Sequence, residues 1–243
     1  MGQARDPQGR RAAGGMTPLL LIPGHMCDAR MWGPQLAAFS GTRTVHLAQI
    51  ADADGMAALA GAILRDAPPR FALAGLSMGG IVAMEVLRQA PARVERIALL
   101  DTNPLPEAEA VKAGRRNRMA RVAQGHLPVI VREEMKPLYL ADRRQPVLDL
   151  CYDMALSLGP EVFLRQSRAL MDRPDQTATL RAFRGPALVL HGAEDRLVPL
   201  DRAHLMAELM PGARLEIVPS AGHLPVLEQP DATNAALRRW LED

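Results

Sequence analysis

The chain has 243 residues, 48% of them hydrophobic and 23% charged, with a formal net charge of +2. That is enough apolar material for one large core without disulfides or a structural metal. Aromatic residues are only 3% and basic residues are interspersed with acidic ones, which argues against a nucleic-acid partner read by a basic face and stacking rings.

Residues 1–16 contain several arginines and glycines, one acid and no apolar run. They lack the apolar centre of a secretory signal and are expected to form a disordered leader, with one domain over 17–243. No stretch approaches the eighteen or so apolar residues of a membrane span, so no membrane partner is expected. The two cysteines, Cys27 and Cys151, are far apart and fit no metal or paired-cysteine spacing. Each reads as a small buried hydrophobe, with a reactive thiol at Cys27 as the alternative. Sparse cysteine suits a reducing compartment, and the expected location is cytoplasmic.

From Pro18 onward, apolar runs alternate with amphipathic stretches. Leu19–Ile22 reads as a strand buried on both faces and stopped by Pro23-Gly24. Asp28 is a candidate N-cap for a helix carrying Met31, Trp32, Leu36 and Phe39. Thr42–Leu47 reads as a strand, Met56–Arg65 as a helix, Phe71–Leu76 as a strand, Gly79–Gln89 as a helix and Val94–Leu100 as a strand ending at Asp101. The alternation then breaks. Residues 107–180 read as almost purely helical, interrupted at several prolines and at Gly159-Pro160, and are expected to be a helical cap inserted at about 104–182. Alternation resumes with a strand at Ala187–Leu190, a helix at Asp201–Met210, a strand at Leu215–Val218 and a helix at Asp231–Leu241. This predicts an α/β fold: a mostly parallel sheet of about six strands with helices on both faces.

Gly75-Leu76-Ser77-Met78-Gly79 sits where an apolar strand passes into a helix. A sharp turn there would hold Ser77 in a strained conformation with its hydroxyl pushed out above the sheet, and glycines would keep the neighbouring backbone clear. A serine hydroxyl needs a positioned base. Among six histidines, His223 lies in the loop after the last strand and emerges at the same sheet edge as Ser77. His191, His46 and His204 read as structural, and His126 belongs to the cap. The base in turn needs a carboxylate. Asp195, after the penultimate strand, is preferred, with Asp101 the serious rival and Glu194 a weaker one. Charge developing on a carbonyl oxygen would be met by the backbone N–H groups of Met78 and of His25, with Met26 behind it. The His25 side chain is a second candidate for facing substrate. Such a site needs no metal and no cofactor, and none is expected.

These residues resemble the α/β-hydrolase superfamily from Leu19 to Leu241. The likeness rests on the Pro23-Gly24-His25 loop, the Ser77 turn, Gly192–Pro199 with Asp195, and Gly222-His223 followed by Glu228 and Pro230. Within the superfamily, the chain is similar to small bacterial carboxylesterases of the pimeloyl-carrier-protein methyl ester esterase type. The resemblance implies a serine hydrolase acting on a small-molecule ester or thioester-like acyl bond. The same triad also serves acyltransferases and C–C lyases or synthases of the menaquinone-pathway type, and some members bind ligands without catalysis. The first loop departs from the common pattern in reading Pro-Gly rather than His-Gly. A further expected departure is a shortened sheet, without the usual antiparallel N-terminal hairpin.

In the cap, Met119, Met135, Leu138, Tyr139, Met154, Leu156, Phe163 and Met171 are candidates for an acyl pocket, against the simpler reading that they form core. Arg115, Arg116, Arg118 and Arg121 read as a solvated helix face, with recognition of an anionic substrate or carrier as the alternative.

Overall fold

The computed structural model describes residues 16–243. The expected leader therefore lies outside the described residues, apart from Met16. Six strands form one sheet in the order β2-β1-β3-β4-β5-β6: β1 Leu19–Ile22, β2 Val45–Leu47, β3 Phe71–Leu76, β4 Val94–Leu100, β5 Ala187–Gly192 and β6 Arg214–Val218. Every pairing is parallel. The register puts Ile22 beside Gly75, Leu76 beside Leu100, and Leu100 beside Leu190. The loops leaving β1, β3, β4 and β5 thus open at one edge, where ligand sites of such sheets form.

Residues along the buried strands alternate between two cores, as the two-residue period of a strand requires. Leu20, Ile22, Leu73, Ile97, Leu99 and Val189 face helices α2 (Met56–Asp66) and α3 (Met78–Gln89). Leu19, Leu21, Ala74, Ala98, Leu100 and Leu190 face the opposite side, with Trp32, Phe39, Leu237 and Trp240. Helix α2 buries Met56, Leu59, Ala60 and Ile63 at one-face spacing, and it stops at Ala67 ahead of Pro68-Pro69. Helix α3 is the central helix, with every residue from Met78 to Leu87 buried.

Between β4 and β5 lie α4 (Glu109–Ala123), the short α5 (Leu127–Val129), a π turn (Ile130–Met135), α6 (Gln145–Met171) and α7 (Thr177–Ala182). Part of this segment has its own small core, in which Val122, Leu127, Ile130, Val131 and Phe163 pack with Met26 of the loop after β1. The chain closes with α8 (Leu200–Leu209), α9 (Pro225–Glu228) and α10 (Pro230–Glu242).

Two local expectations are adjusted, and the expected break at Gly159-Pro160 is present. The strand expected over 42–47 is only Val45–Leu47, because Thr42 and Arg43 turn back to donate backbone hydrogen bonds to Phe39 O at 3.0 and 3.1 Å. The helix after Asp28 is split into a 3-10 turn (Ala29–Trp32), which Asp28 does cap through Arg30 N–H, and α1 (Gly33–Phe39). Gly159-Pro160 kinks the chain within α6, with Gly159 at φ 79°, ψ 177°.

Candidate active site

Ser77 stands between β3 and α3 at φ 55°, ψ −118°, a left-handed conformation that is costly for any residue but glycine. Its backbone is held from both sides. The Ser77 N–H donates to Leu100 O at 2.9 Å, and its carbonyl accepts from Gly80 N–H at 3.0 Å and from Thr102 Oγ1 at 2.7 Å. The turn leaves no room for side chains around it: a Cβ at Gly75 would lie 2.2 Å from Gly79 O, and one at Gly79 would lie 2.2 Å from Ile22 O. Gly79→Ala is therefore expected to destabilise the fold by at least about 3 kcal/mol, the upper part of the overpacking range. Gly114→Ala, where nothing lies within 4 Å in a helix interior, is expected to stabilise by roughly 0.5–1 kcal/mol. Urea unfolding of the two variants against the parent checks both signs.

Asp195 follows β5 and His223 follows β6. Asp195 Oδ1 accepts from Leu197 N–H at 2.7 Å and Val198 N–H at 3.2 Å, which fixes the carboxylate over its own turn. Its other oxygen lies 2.8 Å from His223 Nδ1. That pairing makes Nδ1 the protonated nitrogen and leaves Nε2 as the acceptor. Burial opposes ionisation of Asp195, but the charge and hydrogen bond of His223 and the two amides outweigh it, holding its pKa below the usual carboxylate value. The His223 loop is pinned by its own N–H donating to Tyr139 O at 2.7 Å. The Glu228 carboxylate accepts from Gly222, Leu224 and Ala141 N–H groups at 2.9, 3.1 and 2.8 Å.

Asp101, the rival acid, ends β4 and is fully buried. Its Oδ1 accepts from Gly192 N–H at 2.8 Å. Burial first, then the adjacent charge of Asp195, raises its pKa well above the ordinary value. Two carboxyl groups this close hold one negative charge between them, and it is Asp195 that touches the imidazole. Glu194 is exposed. His191 is buried with Nε2 3.1 Å from Val198 O, His46 lies in β2, and His126 and His204 are exposed.

The loop after β1 lies against the serine, since a Cβ at Gly24 would sit 3.5 Å from Ser77 Cβ. Met26, at φ 55°, donates its N–H to Gln166 Oε1 at 2.8 Å, and Gln166 Nε2 in turn donates to Ile50 O at 3.0 Å. That amide is committed. Among the described residues the N–H groups of His25 and Met78 have no acceptor. The His25 ring packs edge-on to Phe163, with centroids 5.2 Å apart, and its buried Nε2 has no partner. Burial, then the charges of Arg115 and Arg118, lowers its pKa to about 3, so the ring is neutral at physiological pH.

Ser77, Met78, His25 and His223 all line one cavity of about 620 Å³. Of the eight apolar cap candidates, Met135, Leu138, Tyr139 and Phe163 reach its wall. Met154 is instead fully buried in the core, Met119 packs against the small core of the segment between β4 and β5, and Leu156 is exposed. Val111, Leu138 and Leu197 line it while remaining 50%, 36% and 39% exposed, which marks an apolar mouth. Cys27 borders it too, but burial raises its thiol pKa well above the ordinary value. A thiol so hard to ionise is a poor nucleophile.

The family model described as "Alpha/beta hydrolase family" matches residues 19–236. The chain belongs to the alpha/beta hydrolase family. Among similar proteins, the pimeloyl-[acyl-carrier protein] methyl ester esterase of Aromatoleum aromaticum is 29% identical, over 88% of this chain and 93% of that protein. A thermophilic esterase from Thermogutta terrifontis is 31% identical, with a TM-score of 0.85 over 94% of this chain and 90% of its own. A hydrolase from Pseudomonas aeruginosa is 25% identical, with a TM-score of 0.83 over 94% and 91%.

Three supporting roles in this alpha/beta hydrolase escaped the sequence reading. Gln166 fixes the first loop from 140 positions away, and Thr102 ties down Ser77 from the loop after β4. Tyr139 offers its carbonyl to His223 from within the cap segment. None carries a local signal. Glu228, by contrast, sits five residues after His223, where its spacing could have suggested a loop brace.

Proposed function

We propose that this alpha/beta hydrolase cleaves a carboxylic ester of a small molecule through an acyl-enzyme on Ser77. Ser77 Oγ attacks the ester carbonyl while His223 Nε2 takes its proton. Asp195 holds the imidazole in the required tautomer and stabilises the imidazolium. The amides of His25 and Met78 receive the developing oxyanion, a type of contact worth roughly 10²–10³-fold in kcat per donor. His223 then protonates the leaving alcohol, and in the second half-reaction activates water to release the acid. The observation that carries this reading is the 2.8 Å Asp195–His223 contact, on a cavity shared with a serine at φ 55°.

Asp101, Asp195 and His223 present ligand-type atoms within 4.8 Å of one another. We read them as a hydrogen-bonded set, because Asp195 and His223 are already committed to each other. A cytoplasmic location is also proposed, supported by free, buried Cys27 and Cys151. Among the described residues no helix is long and apolar enough to cross a membrane.

The test is to treat purified protein with a serine-reactive phosphonate and to assay short p-nitrophenyl esters with and without a strong chelator. Labelling at Ser77 together with chelator-insensitive turnover is expected. Labelling without turnover of any ester would move the reading to acyl transfer or carbon–carbon cleavage by the same triad. No labelling would leave a ligand-binding protein.

A further inference from the structure

The part of the cavity wall supplied by the segment between β4 and β5 is unevenly charged. Glu107, with only 1% of its side chain exposed, pairs with Arg115 at 2.7 Å and with Arg173 at 2.9 Å. One carboxylate there faces two guanidiniums, themselves only 14% and 10% exposed. The arrangement repeats at Glu134, which pairs with Arg118 at 3.3 Å and with Arg121. Burial opposes ionisation of Glu107, but the hydrogen bonds and charges of the two arginines outweigh it and lower its pKa. The carboxylate is therefore already spent on them.

Arg115, Arg118 and Arg173 line the same cavity as Ser77. The remaining acid on that wall, Asp101, turns its Oδ1 to Gly192 N–H and pairs with none of these arginines among the described residues, while burial and then the charge of Asp195 raise its pKa. Arg115 and Arg173, both largely shielded, also have donors to spare. Arg115 uses Nε and Nη2 on Glu107, while Arg173 uses Nε on Leu105 O and Nη1 on Glu107. Among the described residues, Arg115 Nη1 and Arg173 Nη2 have no acceptor. Buried guanidiniums in excess of their carboxylates are costly unless something anionic completes the pairing. A planar carboxylate matches the fork of an arginine in a way that a neutral ester does not. Both arginines line the cavity, so an anion that completes their pairing is best carried by the small molecule that enters it.

We propose that the cavity takes esters that carry a second, free carboxylate, held by Arg115 and Arg173 with Arg118 adding charge. This rests on the ester-hydrolase reading above and adds the substrate class to it. It also revises the expectation for the arginine-rich stretch. Arg116 is exposed beside Glu109, as a solvated face requires, but its neighbour Arg115 points to a ligand.

The experiment compares kcat/KM for monomethyl esters of linear dicarboxylic acids with that for neutral methyl esters of equal length, in the parent, Arg173→Gln and Arg118→Gln. The parent is expected to favour the half-esters at least tenfold. Arg173→Gln is expected to lower that ratio at least tenfold, chiefly through KM, and Arg118→Gln by a smaller factor. Because Arg118 is 38% exposed, its variant keeps the test open if Arg173→Gln does not fold. Titration calorimetry with the free dicarboxylates supplies a readout independent of turnover, with dissociation constants expected to rise in both variants. A parent with no preference for half-esters and no dicarboxylate binding would overturn the inference while leaving the hydrolase reading intact. Dicarboxylate binding without cleavage of any ester would do the reverse. Saturable binding of inorganic phosphate in place of the dicarboxylates would overturn the carboxylate assignment.

Discussion

Replacing Ser77 with alanine is expected to lower kcat for ester hydrolysis by roughly 10⁵–10⁶-fold, the scale seen when the nucleophile of such a triad is removed. No neighbouring group is placed to take over. The Cys27 thiol on the same cavity is held protonated by burial, and a water attacking directly would lose the covalent intermediate. The residual rate would come from the His25 and Met78 amides and from binding alone. Because the residues act as one unit, adding His223→Ala to Ser77→Ala is expected to cost little more. Single-turnover and steady-state assays on the two single variants and the double variant check this. Retention of more than about 1% of the parental kcat in Ser77→Ala would show that the serine is not the nucleophile. Thermal unfolding provides the control, since alanine inherits the same backbone angles at this turn.

The second large effect is expected at Asp195, and the contrast with Asp101 gives it meaning. Asp195→Asn should lower kcat by roughly 10⁴-fold at neutral pH, because an amide facing His223 Nδ1 favours the wrong tautomer and cannot stabilise the imidazolium. Asp101→Asn should cost less than about tenfold, since it leaves the 2.8 Å Asp195–His223 contact in place. The reverse order of losses would make Asp101 the working acid. Stability supplies a second readout with a definite sign. Burial and then the charge of Asp195 raise the Asp101 pKa in the fold above the ordinary value of 3.8 that the unfolded chain keeps. Folded wild type thus binds more protons than the unfolded chain, and this term lowers stability as pH rises above that value. The asparagine variant lacks the term, so its melting temperature should gain on the parent as pH rises above that ordinary value. A difference that stays flat with pH would mean that Asp101 is ionised in the fold.

Much of the architecture was legible because the information is local. The runs Leu19–Ile22, Phe71–Leu76 and Ala187–Leu190 are too continuously apolar to be anything but doubly buried strands in an alternating chain, and each lies in the sheet. The Gly-x-Ser-x-Gly turn carries its own steric logic, since the clash at Gly75 arises within the turn itself, and the clash at Gly79 adds the end of the neighbouring strand β1. The choice between Asp195 and Asp101 was not local. Both follow neighbouring strands, β5 and β4, so strand order alone brings each to the same edge. The turn of Leu197 and Val198 amides is what orients Asp195 onto the ring.

The cap was the least legible region, for a related reason. Helical spacing shows that Met154 and Phe163 lie on apolar faces, but which face looks into the cavity depends on how the helices sit on the sheet. Met154 became core alone, whereas Phe163 packs in a small core and also borders the cavity. Likewise, Arg115 and Arg116 are adjacent in sequence, and the helix turn between them sends one to a buried carboxylate and the other to the surface.

The chain's own pattern determined that this is a parallel α/β sheet with a strained serine at one edge, because strand burial and tight turns are set by neighbours in sequence. Which carboxylate touches the histidine, which amide Gln166 consumes and where the arginines point were decided only on folding. Those contacts join residues up to 140 positions apart, and such pairings have no periodicity from which to read them.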